Sequence, residues 1–342
     1  MLNNCKRAVA ALTLAAAGMF CLAGCGDAAT EQRAVQEDSG DTIVLRYAEI
    51  QTGDYPTTLA AKKFAQLVKD GTQGRIIIDV YDSAKLSTED AVVKQVKYGT
   101  IDMSRVSLSA VSDITHELEV LQLPYLYRDS AHMWKVLDGD IGKEFLQKMD
   151  SEGVIGLSWY DSGERNFYTK KEVKGLADMK GLKIRVQESP LMEDLVKCLG
   201  AEPVPMVYGD VYDGLKSGVI DGAENNWPSY ESMNHYKEAK YYLLDGHSRI
   251  PEIQIISKRT LDKLSTTDQQ ILRMCAAESA KYERELWTKR EAESEAKVKK
   301  EGTTVTKLSD NERAAFEKAV QPIYEKYGAQ NKDLINRIKE VQ

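Results

Sequence analysis

The strongest constraint on the fold is a long, charged helical pattern that starts after Ser265 and continues to about Lys300. It opens with Ser265-Thr266-Thr267-Asp268, which resembles a capping box, the arrangement in which side chains satisfy the first free amide groups of a helix. At about 1.5 Å per residue the pattern predicts a helix roughly 50 Å long, which is more than the diameter of one domain of this size. We therefore predict that a single helix crosses two domains and presents a solvated, charged face.

Ahead of this helix, short apolar strands alternate with helical patterns, which is typical of an α/β fold. A predicted strand at Ile43–Ile50 is followed by a helix from Pro56 to about Asp70 and by a strand at Arg75–Tyr81. Further predicted strands lie at 102–106, 154–159, 183–187, 202–204, 219–224 and 252–256. These are too many strands for one small core, and 342 residues are enough for roughly two domains.

The N-terminus indicates export. Lys6 and Arg7 precede an apolar stretch from Ala8 to Leu22 that is short for a membrane-spanning helix and is typical of a secretory signal. The stretch ends in Leu22-Ala23-Gly24-Cys25, which looks like a bacterial lipobox, where the cysteine thiol takes up a diacylglycerol before cleavage. An ordinary signal peptide followed by a chance cysteine is the alternative.

Residues 1–24 are therefore predicted to be a lipoprotein signal peptide, with Cys25 as the lipidated residue. Residues 25–41 are small, polar and charged without an apolar period, as expected of a flexible tether. The protein is then exported and lipid-anchored to a bacterial membrane, facing the periplasm or the cell exterior, and it touches the membrane only through Cys25. Gly26, the next residue, does not distinguish an inner, an outer or a sole membrane.

Charge and residue usage exclude several classes of function. The 46 Lys and Arg residues against 53 Asp and Glu residues give a net charge of −7 without a basic run. This argues against binding of nucleic acid, whose phosphates need a cationic surface. The chain has no C-x-x-C or H-E-x-x-H motif and only four His residues, so neither a metal site nor a cofactor is predicted. A small molecule is the expected partner.

Two arginines stand where packing alone does not explain them. Arg165 follows Ser162-Gly163-Glu164, and Arg185 lies inside the apolar strand Leu182–Val186. Strand alternation places Arg185 on a strand flank or at the carboxyl end, where α/β sheets bind ligands. A guanidinium there can hold a carboxylate through two parallel hydrogen bonds, although a surface salt bridge to Asp or Glu would use the same residue.

Amide and aromatic residues accumulate further along the chain. Segment 221–228 (DGAENNWP) supplies Asn225, whose amide can read hydroxyl and carboxyl oxygens, although the segment is equally typical of a plain turn. Tyr208 could stack on the ring or aliphatic face of a ligand, and Trp227 on the face of a sugar. Either aromatic side chain could instead belong to the core.

Two segments have a distinctive sequence: residues 181–186 (GLKIRV) and residues 210–225 (DVYDGLKSGVIDGAEN). Tyr47-Ala48-Glu49 ahead of a helix and a Gly-x-x-Asp pattern at 99–102 accompany them. Together with the long helix, these features resemble the DctP-type substrate-binding proteins of TRAP (tripartite ATP-independent periplasmic) transporters. The resemblance spans nearly all of residues 42–342.

This resemblance implies an α/β, two-lobed periplasmic-binding-protein fold of the type II-like class, with a long helix that bridges both lobes. Lobe I would comprise residues 42–162 and 251–290, and lobe II would comprise residues 163–250 and 291–342. The lobes would close on an organic acid, which the protein then delivers to the membrane permease subunits of a sodium-coupled TRAP transporter. A small carboxylate ligand and the permease are the implied partners, and a monomer is expected.

The resemblance also implies roles for individual residues. Arg185 falls on the family's arginine that pairs with the ligand carboxylate, and Arg165 falls on a second cationic contact. Tyr208 falls on an aromatic neighbour of the ligand, and Asn225 on its amide contact. A cation at Arg185 agrees with the high cost of burying a carboxylate without a partner.

The loop after the first strand, Glu49–Pro56, is the best indication of which acid binds. Its hydrogen-bonding side chains include Glu49 and Tyr55. Glu49 as an acceptor for a ligand hydroxyl favours a sugar acid, such as the hexuronates glucuronate or galacturonate. Arg105 would supply the second cation that a C4-dicarboxylate needs, so a dicarboxylate or another organic acid is the alternative ligand.

An extracytoplasmic uronate-processing enzyme is a less favoured alternative. Four acidic residues could provide a carboxylate pair for acid–base catalysis. They are Glu49, Asp161, Glu164 and Glu224. The sequence has no Gly-x-Ser-x-Gly motif, no glycine-rich phosphate loop and no clustered metal ligands, so we predict no catalytic residue. A ligand-sensing partner of a signalling receptor would have the same fold and the same site.

Overall fold

The computed structural model of the chain describes residues 42–342 except 112, 113 and 115. The predicted signal peptide, the predicted lipidation at Cys25 and the predicted tether lie outside the described residues. The described residues form two β-sheets surrounded by helices, which confirms the predicted α/β fold class.

The strands and helices have the following bounds. The strands are β1 Ile43–Ala48, β2 Ile76–Tyr81, β3 Met103–Ser107, β4 Val154–Tyr160, β5 Asn166–Thr169, β6 Lys183–Val186, β7 Glu202–Pro205, β8 Gly222–Asn225, β9 Tyr241–Leu244, β10 Glu252–Ser257 and β11 Thr304–Lys307. The α-helices are α1 Pro56–Gly71, α2 Glu89–Tyr98, α3 Leu108–Val111, α4 Ser130–Asp138, α5 Asp140–Lys148, α6 Pro190–Cys198, α7 Val211–Ser217, α8 Trp227–Ser232, α9 Lys258–Leu261, α10 Thr266–Lys300, α11 Asp310–Ala319, α12 Gln321–Tyr327 and α13 Lys332–Glu340.

The first sheet has the strand order β2-β1-β3-β10-β4. β1 runs parallel to β2 and β3, whereas β10 runs antiparallel to β3 and β4. Strand alternation buries Leu45 and Tyr47 of β1, and the ring of Tyr47 lies 6.3 Å from the ring of Phe64 on α1. This packing holds α1 against the sheet and fixes the loop that connects β1 to α1.

The second sheet has the strand order β11-β9-β5-β8-β6-β7. β6 runs parallel to β7 and β8, and β5 runs antiparallel to β8 and β9. Its core is aromatic: the ring of Tyr230 lies 4.7 Å from that of Tyr168 and 5.0 Å from that of Tyr242. Aromatic pairs at this spacing add stability beyond the area they bury, so the ends of β5 and β8 are firmly held.

The longest helix joins the two halves of the molecule. The 35 residues of α10 form one continuous helix, and the hydroxyl of Ser265 accepts a hydrogen bond from the amide of Asp268 at 3.1 Å. Leu272, near the start of α10, packs in the core of the first sheet, and Val298, near its end, packs in the core of the second. The prediction of one capped helix that crosses two domains is confirmed.

Each sheet with its helices forms one lobe. The strands of the first sheet all lie within the ranges predicted for lobe I, and those of the second sheet lie within the ranges predicted for lobe II. The C-terminal helices contact both lobes. Tyr327 of α12 donates a hydrogen bond to Asp194 of α6 at 2.8 Å, whereas Arg128, close to α4, donates one to the carbonyl of Lys339 in α13 at 2.9 Å. The assignment of residues 291–342 to lobe II therefore stays a prediction.

The sequence patterns do not predict β5, β9 or β11. Each of these strands has only four residues, and β11 is an edge strand that pairs with β9. β6, β7 and β8 are equally short and are predicted, so length alone does not explain the difference. β8 begins at Gly222 rather than at Val219, because Gly218, with φ of 80°, ends α7 in the left-handed conformation and a turn follows it.

Gly222→Ala is expected to lower the free energy of unfolding by about 1 to 3 kcal/mol. The reason is steric, since an added Cβ atom would lie 2.5 Å from the carbonyl oxygen of Tyr168 on the neighbouring strand. Gly209→Ala is the matched control, because its added Cβ would meet no atom within 4 Å, and it should change the free energy by less than about 0.5 kcal/mol. Urea denaturation followed by circular dichroism measures both. Equal effects of the two substitutions would contradict the expectation.

Candidate functional site

A cavity of about 340 Å³ lies between the two lobes. It is placed where β1, β3, β6 and β8 end, the position at which α/β sheets bind ligands. Polar lining residues of the first lobe include Gln51, Tyr55, Glu89, Asp90, Arg105, Ser107 and Glu252. Those of the second lobe include Arg165, Arg185, Gln187, Tyr208, Asn225 and Ser229. Six of the eight residues predicted to bind the ligand therefore line one cavity, and Glu49 and Trp227 do not.

Arg185 lines the cavity from β6 and is only 3% exposed. Its Nε donates a hydrogen bond to the carbonyl of Met206 at 2.9 Å, and it forms no ion pair with a carboxylate of the described residues. Burial lowers the pKa of Arg185, and the carboxylate of Glu224 partly opposes this change. A guanidinium stays charged in proteins, so this buried cation requires an anion.

Arg165, by contrast, already has a counter-ion. Its Nη2 donates a hydrogen bond to Glu224 Oε1 at 2.8 Å, and its Nε binds the other oxygen of the same carboxylate. Burial favours a lower pKa for Arg165, but Glu224 outweighs this effect and the pKa is raised. Nη1 lies 3.3 Å from Asn225 Oδ1, so the ion pair also orients the Asn225 amide at the cavity wall.

Behind Arg165 lies a buried network of charges. Glu224 Oε2 is 3.4 Å from Nε2 of His247, and Nδ1 of His247 is 2.8 Å from Asp245 Oδ2. Burial opposes the charge on His247, but Asp245 and Glu224 outweigh it and raise the pKa of His247 to about 9. Burial likewise opposes the charge on Glu224, but Arg165 and His247 lower the pKa of Glu224 to about 2. The network therefore alternates in charge and holds Arg165 in position.

Arg105 on β3 is surrounded by carboxyl groups. Its Nε donates a hydrogen bond to Glu49 Oε2 at 3.0 Å, and its Nη2 pairs with the other oxygen of Glu49. Its Nη1 donates to Glu252 Oε2 at 2.7 Å and lies 3.4 Å from Glu89 Oε1. Arg105 and Arg185 both line the cavity, but only Arg105 is neutralised by the protein.

Glu49 lies behind Arg105 rather than on the cavity wall. It is 1% exposed, and its Oε1 also accepts a hydrogen bond from the amide of Gln51 at 3.0 Å. The prediction that Glu49 accepts a ligand hydroxyl does not fit this position, because protein donors occupy both of its oxygens. Its contacts instead fix Arg105 and the start of the loop that follows β1.

Trp227 is a core residue. Its ring stacks on Tyr242 with 3.6 Å between the ring centroids, within the aromatic core of the second sheet. The prediction of Trp227 as a ligand contact therefore does not fit its position. Trp287 on α10, which the sequence analysis does not select, lines the cavity and packs edge-on against Tyr55 at 5.8 Å. The one sequence feature that could have indicated Trp287 is its position as a lone Trp within a charged helix.

Tyr55 and Tyr208 both line the cavity, as predicted for ligand contacts. The hydroxyl of Tyr55, from the first lobe, lies 2.9 Å from Ser229 Oγ and donates to Asn226 Oδ1 at 3.3 Å, and both partners belong to the second lobe. This contact joins the lobes at the edge of the cavity, so the structure corresponds to a closed arrangement.

Gln51 and Gln187 are further lining residues that the sequence analysis does not select. The side-chain carbonyl oxygen of each is buried and has no hydrogen-bond partner among the described residues. Both had a signal in the sequence. Gln51 lies in the polar loop after β1, and Gln187 follows Arg185 at the spacing of one strand face.

The four acidic residues considered for catalysis are not on the cavity wall. Glu49 and Glu224 are bound to guanidinium groups, as described above. Asp161 accepts a hydrogen bond from the amide of Gly163 at 2.8 Å, and Glu164 pairs with Arg249 at 3.1 Å. The structure therefore does not bring them together as an acid–base pair around the cavity.

The described part of the chain has neither a candidate metal cluster nor a helix suited to crossing a bilayer. Across residues 42–342 with their three gaps, no group of three or more His, Cys, Asp and Glu side chains is placed to hold a metal ion. Over the same residues, none of the helices combines the length and the apolar character needed to cross a bilayer.

Residues 47–331 match the family model DctP, described as bacterial extracellular solute-binding protein, family 7. The chain belongs to this family. A TRAP periplasmic solute-binding protein from Xanthobacter autotrophicus, solved with bound β-D-galacturonate, is 42% identical with a TM-score of 0.85, and the match covers 87% of this chain and 100% of that one. Another from Pseudomonas putida, with bound D-glucuronate, is 37% identical with a TM-score of 0.86 and coverages of 88% and 98%.

A curated relative extends this comparison. The 2,3-diketo-L-gulonate-binding periplasmic protein YiaO of Escherichia coli is 32% identical over 289 residues, which are 83% of this chain and 88% of the relative. The predicted resemblance to TRAP solute-binding proteins is confirmed, and with it the two-lobed fold. This chain is a TRAP solute-binding protein, and members of its family are periplasmic transport proteins.

The free energy of unfolding should fall on the order of 3 kcal/mol as the pH rises from about 6.5 to 9, because folded His247 binds its proton more tightly than the unfolded chain does. His247→Gln should reduce the decline by this amount, whereas the decline that comes from Glu89, whose pKa is raised to about 8, should remain. His116→Gln, at an exposed histidine, should leave the decline unchanged. Urea denaturation at pH 6, 7.5 and 9 measures the effect. A decline that persists unchanged in His247→Gln would disprove the charge assigned to this imidazole.

Proposed function

We propose that this protein captures a hexuronate, such as D-glucuronate or D-galacturonate, and delivers it to a sodium-coupled TRAP permease. The proposal depends mainly on Arg185, the cavity-lining arginine that has no carboxylate partner among the described residues. A ligand carboxylate would supply the anion, and the planar guanidinium suits two parallel hydrogen bonds to it. The similar proteins solved with galacturonate and glucuronate support a sugar acid as the ligand.

The remainder of the cavity wall suits a polyhydroxylated molecule. Gln51 and Gln187 place buried, unpartnered carbonyl oxygens there, and such oxygens cost free energy until a donor reaches them. Sugar hydroxyls are suitable donors. Tyr208 and Trp287 add aromatic surface that can pack on the apolar face of a pyranose ring.

Ligand capture and closure are coupled in this proposal. The carboxylate would bind Arg185 of the second lobe, while hydroxyls would bind Gln51 and its neighbours in the first lobe. Contacts from both lobes form together only in the closed state, so the ligand shifts the equilibrium toward closure. The hydrogen bonds of Tyr55 to Asn226 and Ser229 add to the same closed state. The permease would then recognise the closed shape.

A C4-dicarboxylate is the second candidate ligand, and Arg105 is the residue that would favour it. All three guanidinium nitrogens of Arg105 are hydrogen-bonded to carboxyl groups of the protein. A second ligand carboxylate would have to compete with these groups for the same cation. This observation supports a uronate over a dicarboxylate. The enzyme alternative receives no such support, because its acidic residues lie away from the cavity wall.

We extend the proposal to the position of the protein in the cell. The lipobox-like residues 22–25 and the polar segment 25–41 support a protein that is held at a bacterial membrane through lipidated Cys25, where it would act as a monomer. Cys25→Ser should move most of the protein from the detergent phase to the aqueous phase in a Triton X-114 partition of whole cells. If the variant enters the detergent phase as the wild type does, anchoring at Cys25 is contradicted.

Arg185→Ala should weaken binding of D-galacturonate by at least about 100-fold, because the buried ligand carboxylate loses its charged partner. Titration calorimetry on the mature protein measures the dissociation constant for D-galacturonate, D-glucuronate and succinate. Arg273→Ala, an exposed site on α10 that does not line the cavity, is the control and should bind as the wild type does.

Two results would contradict the proposal. Tighter binding of succinate than of either uronate would replace the hexuronate with a dicarboxylate. Binding of the uronates that survives Arg185→Ala would show that the carboxylate does not bind at Arg185.

A further inference from the structure

Three acidic residues of the first lobe line the cavity, Glu89, Asp90 and Glu252, and two of them, Glu89 and Glu252, lie on either side of Arg105 Nη1. Glu89, the first residue of α2, accepts hydrogen bonds at Oε1 from the amide of Ser107 at 2.8 Å and from Arg105 Nη1 at 3.4 Å. Glu252, the first residue of β10, accepts at Oε2 from the same Nη1 at 2.7 Å. The two carboxylate side chains are 15% and 10% exposed, and both border the cavity.

Glu89 differs from Glu49 in that only one of its two carboxyl oxygens is hydrogen-bonded by the described residues. Its Oε2 accepts no hydrogen bond from the described residues, because both of the bonds made by Glu89 go to Oε1. A largely buried carboxyl group of this kind can exchange a hydrogen bond with a hydroxyl group that enters the same cavity. Glu89, rather than the predicted Glu49, lines the cavity with such a group.

The same wall is unfavourable for an added negative charge. Three carboxyl groups, those of Glu49, Glu89 and Glu252, surround the single guanidinium of Arg105. Burial and, after it, the carboxylate of Glu252 raise the pKa of Glu89 to about 8, so Glu89 holds a proton at neutral pH and gains its charge only above about pH 8. The position therefore disfavours any further negative charge. A carboxylate of the ligand at this wall would meet like charges in a medium of low dielectric constant, which costs binding free energy.

We propose that Glu89 and Glu252 determine specificity by binding the uncharged, hydroxylated end of a sugar acid and by repelling a second carboxylate. The inference rests on the proposed function, in which Arg185 holds the single ligand carboxylate. It narrows the ligand class to sugar acids with one carboxylate and excludes sugar diacids of the same length. Discrimination of this kind comes from a built-in repulsion as well as from attraction.

The test compares D-galacturonate with galactarate, in which a second carboxylate replaces the aldehyde carbon of the same six-carbon chain. Titration calorimetry on the mature protein at pH 9, where Glu89 is charged, should show at least about 100-fold weaker binding of galactarate by the wild type. Glu89→Gln keeps the shape of the side chain and its acceptor for Ser107 while it removes that charge. It should weaken galacturonate binding and reduce the ratio of the two dissociation constants to about 10-fold or less.

Two further variants make the test specific. Glu252→Gln should also reduce the ratio of the dissociation constants of galactarate and galacturonate. It replaces Glu89→Gln as the test variant if the melting temperature of Glu89→Gln shows that this variant does not fold. Glu152→Gln removes an equal charge from a partly exposed side chain that pairs with Lys97 away from the cavity, and it should leave the ratio unchanged.

The outcomes separate this inference from the function on which it rests. Similar affinities of the wild type for galacturonate and galactarate, or a ratio that neither Glu89→Gln nor Glu252→Gln reduces, overturn the inference while the uronate receptor stands. A wild type that binds no sugar acid at all overturns both.

Discussion

The buried guanidinium of Arg185 needs an anion, and much of the design of the cleft follows from this need. A charge removed from water is stable only with a partner, and β6 keeps Arg185 away from water. The other two cavity arginines show the alternative, since Arg165 is paired with Glu224 and Arg105 with three carboxyl groups. The protein therefore directs one carboxylate to one position. The amide groups of Gln51 and Gln187 and the carboxyl groups of Glu89 and Glu252 then remain at the cavity wall for the rest of the ligand.

The main elements of the fold are readable in the sequence because they are local. The capping box at Ser265 and the unbroken helical pattern define α10 within a residue or two, since a helix forms its hydrogen bonds between near neighbours. The strands with long apolar runs are predicted because the apolar run itself is visible in the sequence. β5, β9 and β11 are not predicted, and their pairing partners are all distant in the chain.

The residues of the candidate site also divide into those that local sequence features indicate and those that depend on long-range packing. Arg185 and Asn225, which line the cavity, are predicted from a charge inside an apolar strand, an amide at a strand end and the resemblance to the family. The roles of Glu49 and Glu89 cannot be told apart in this way. Which carboxylate lies behind Arg105 and which lines the cavity depends on the packing of β1, β3 and α2, and that packing joins residues far apart in the chain. Trp287 is missed for the same reason.

The position of β10 also determines how this chain can fold. β10 lies between β3 and β4 in the first sheet, yet the chain reaches it only after it has passed through nearly all of the second sheet. Until Glu252–Ser257 docks, β3 and β4 present open edges, which are sites for aggregation. Contacts of such long sequence separation slow folding. The first sheet is therefore completed only after the chain has formed the strands β5 to β9 of the second.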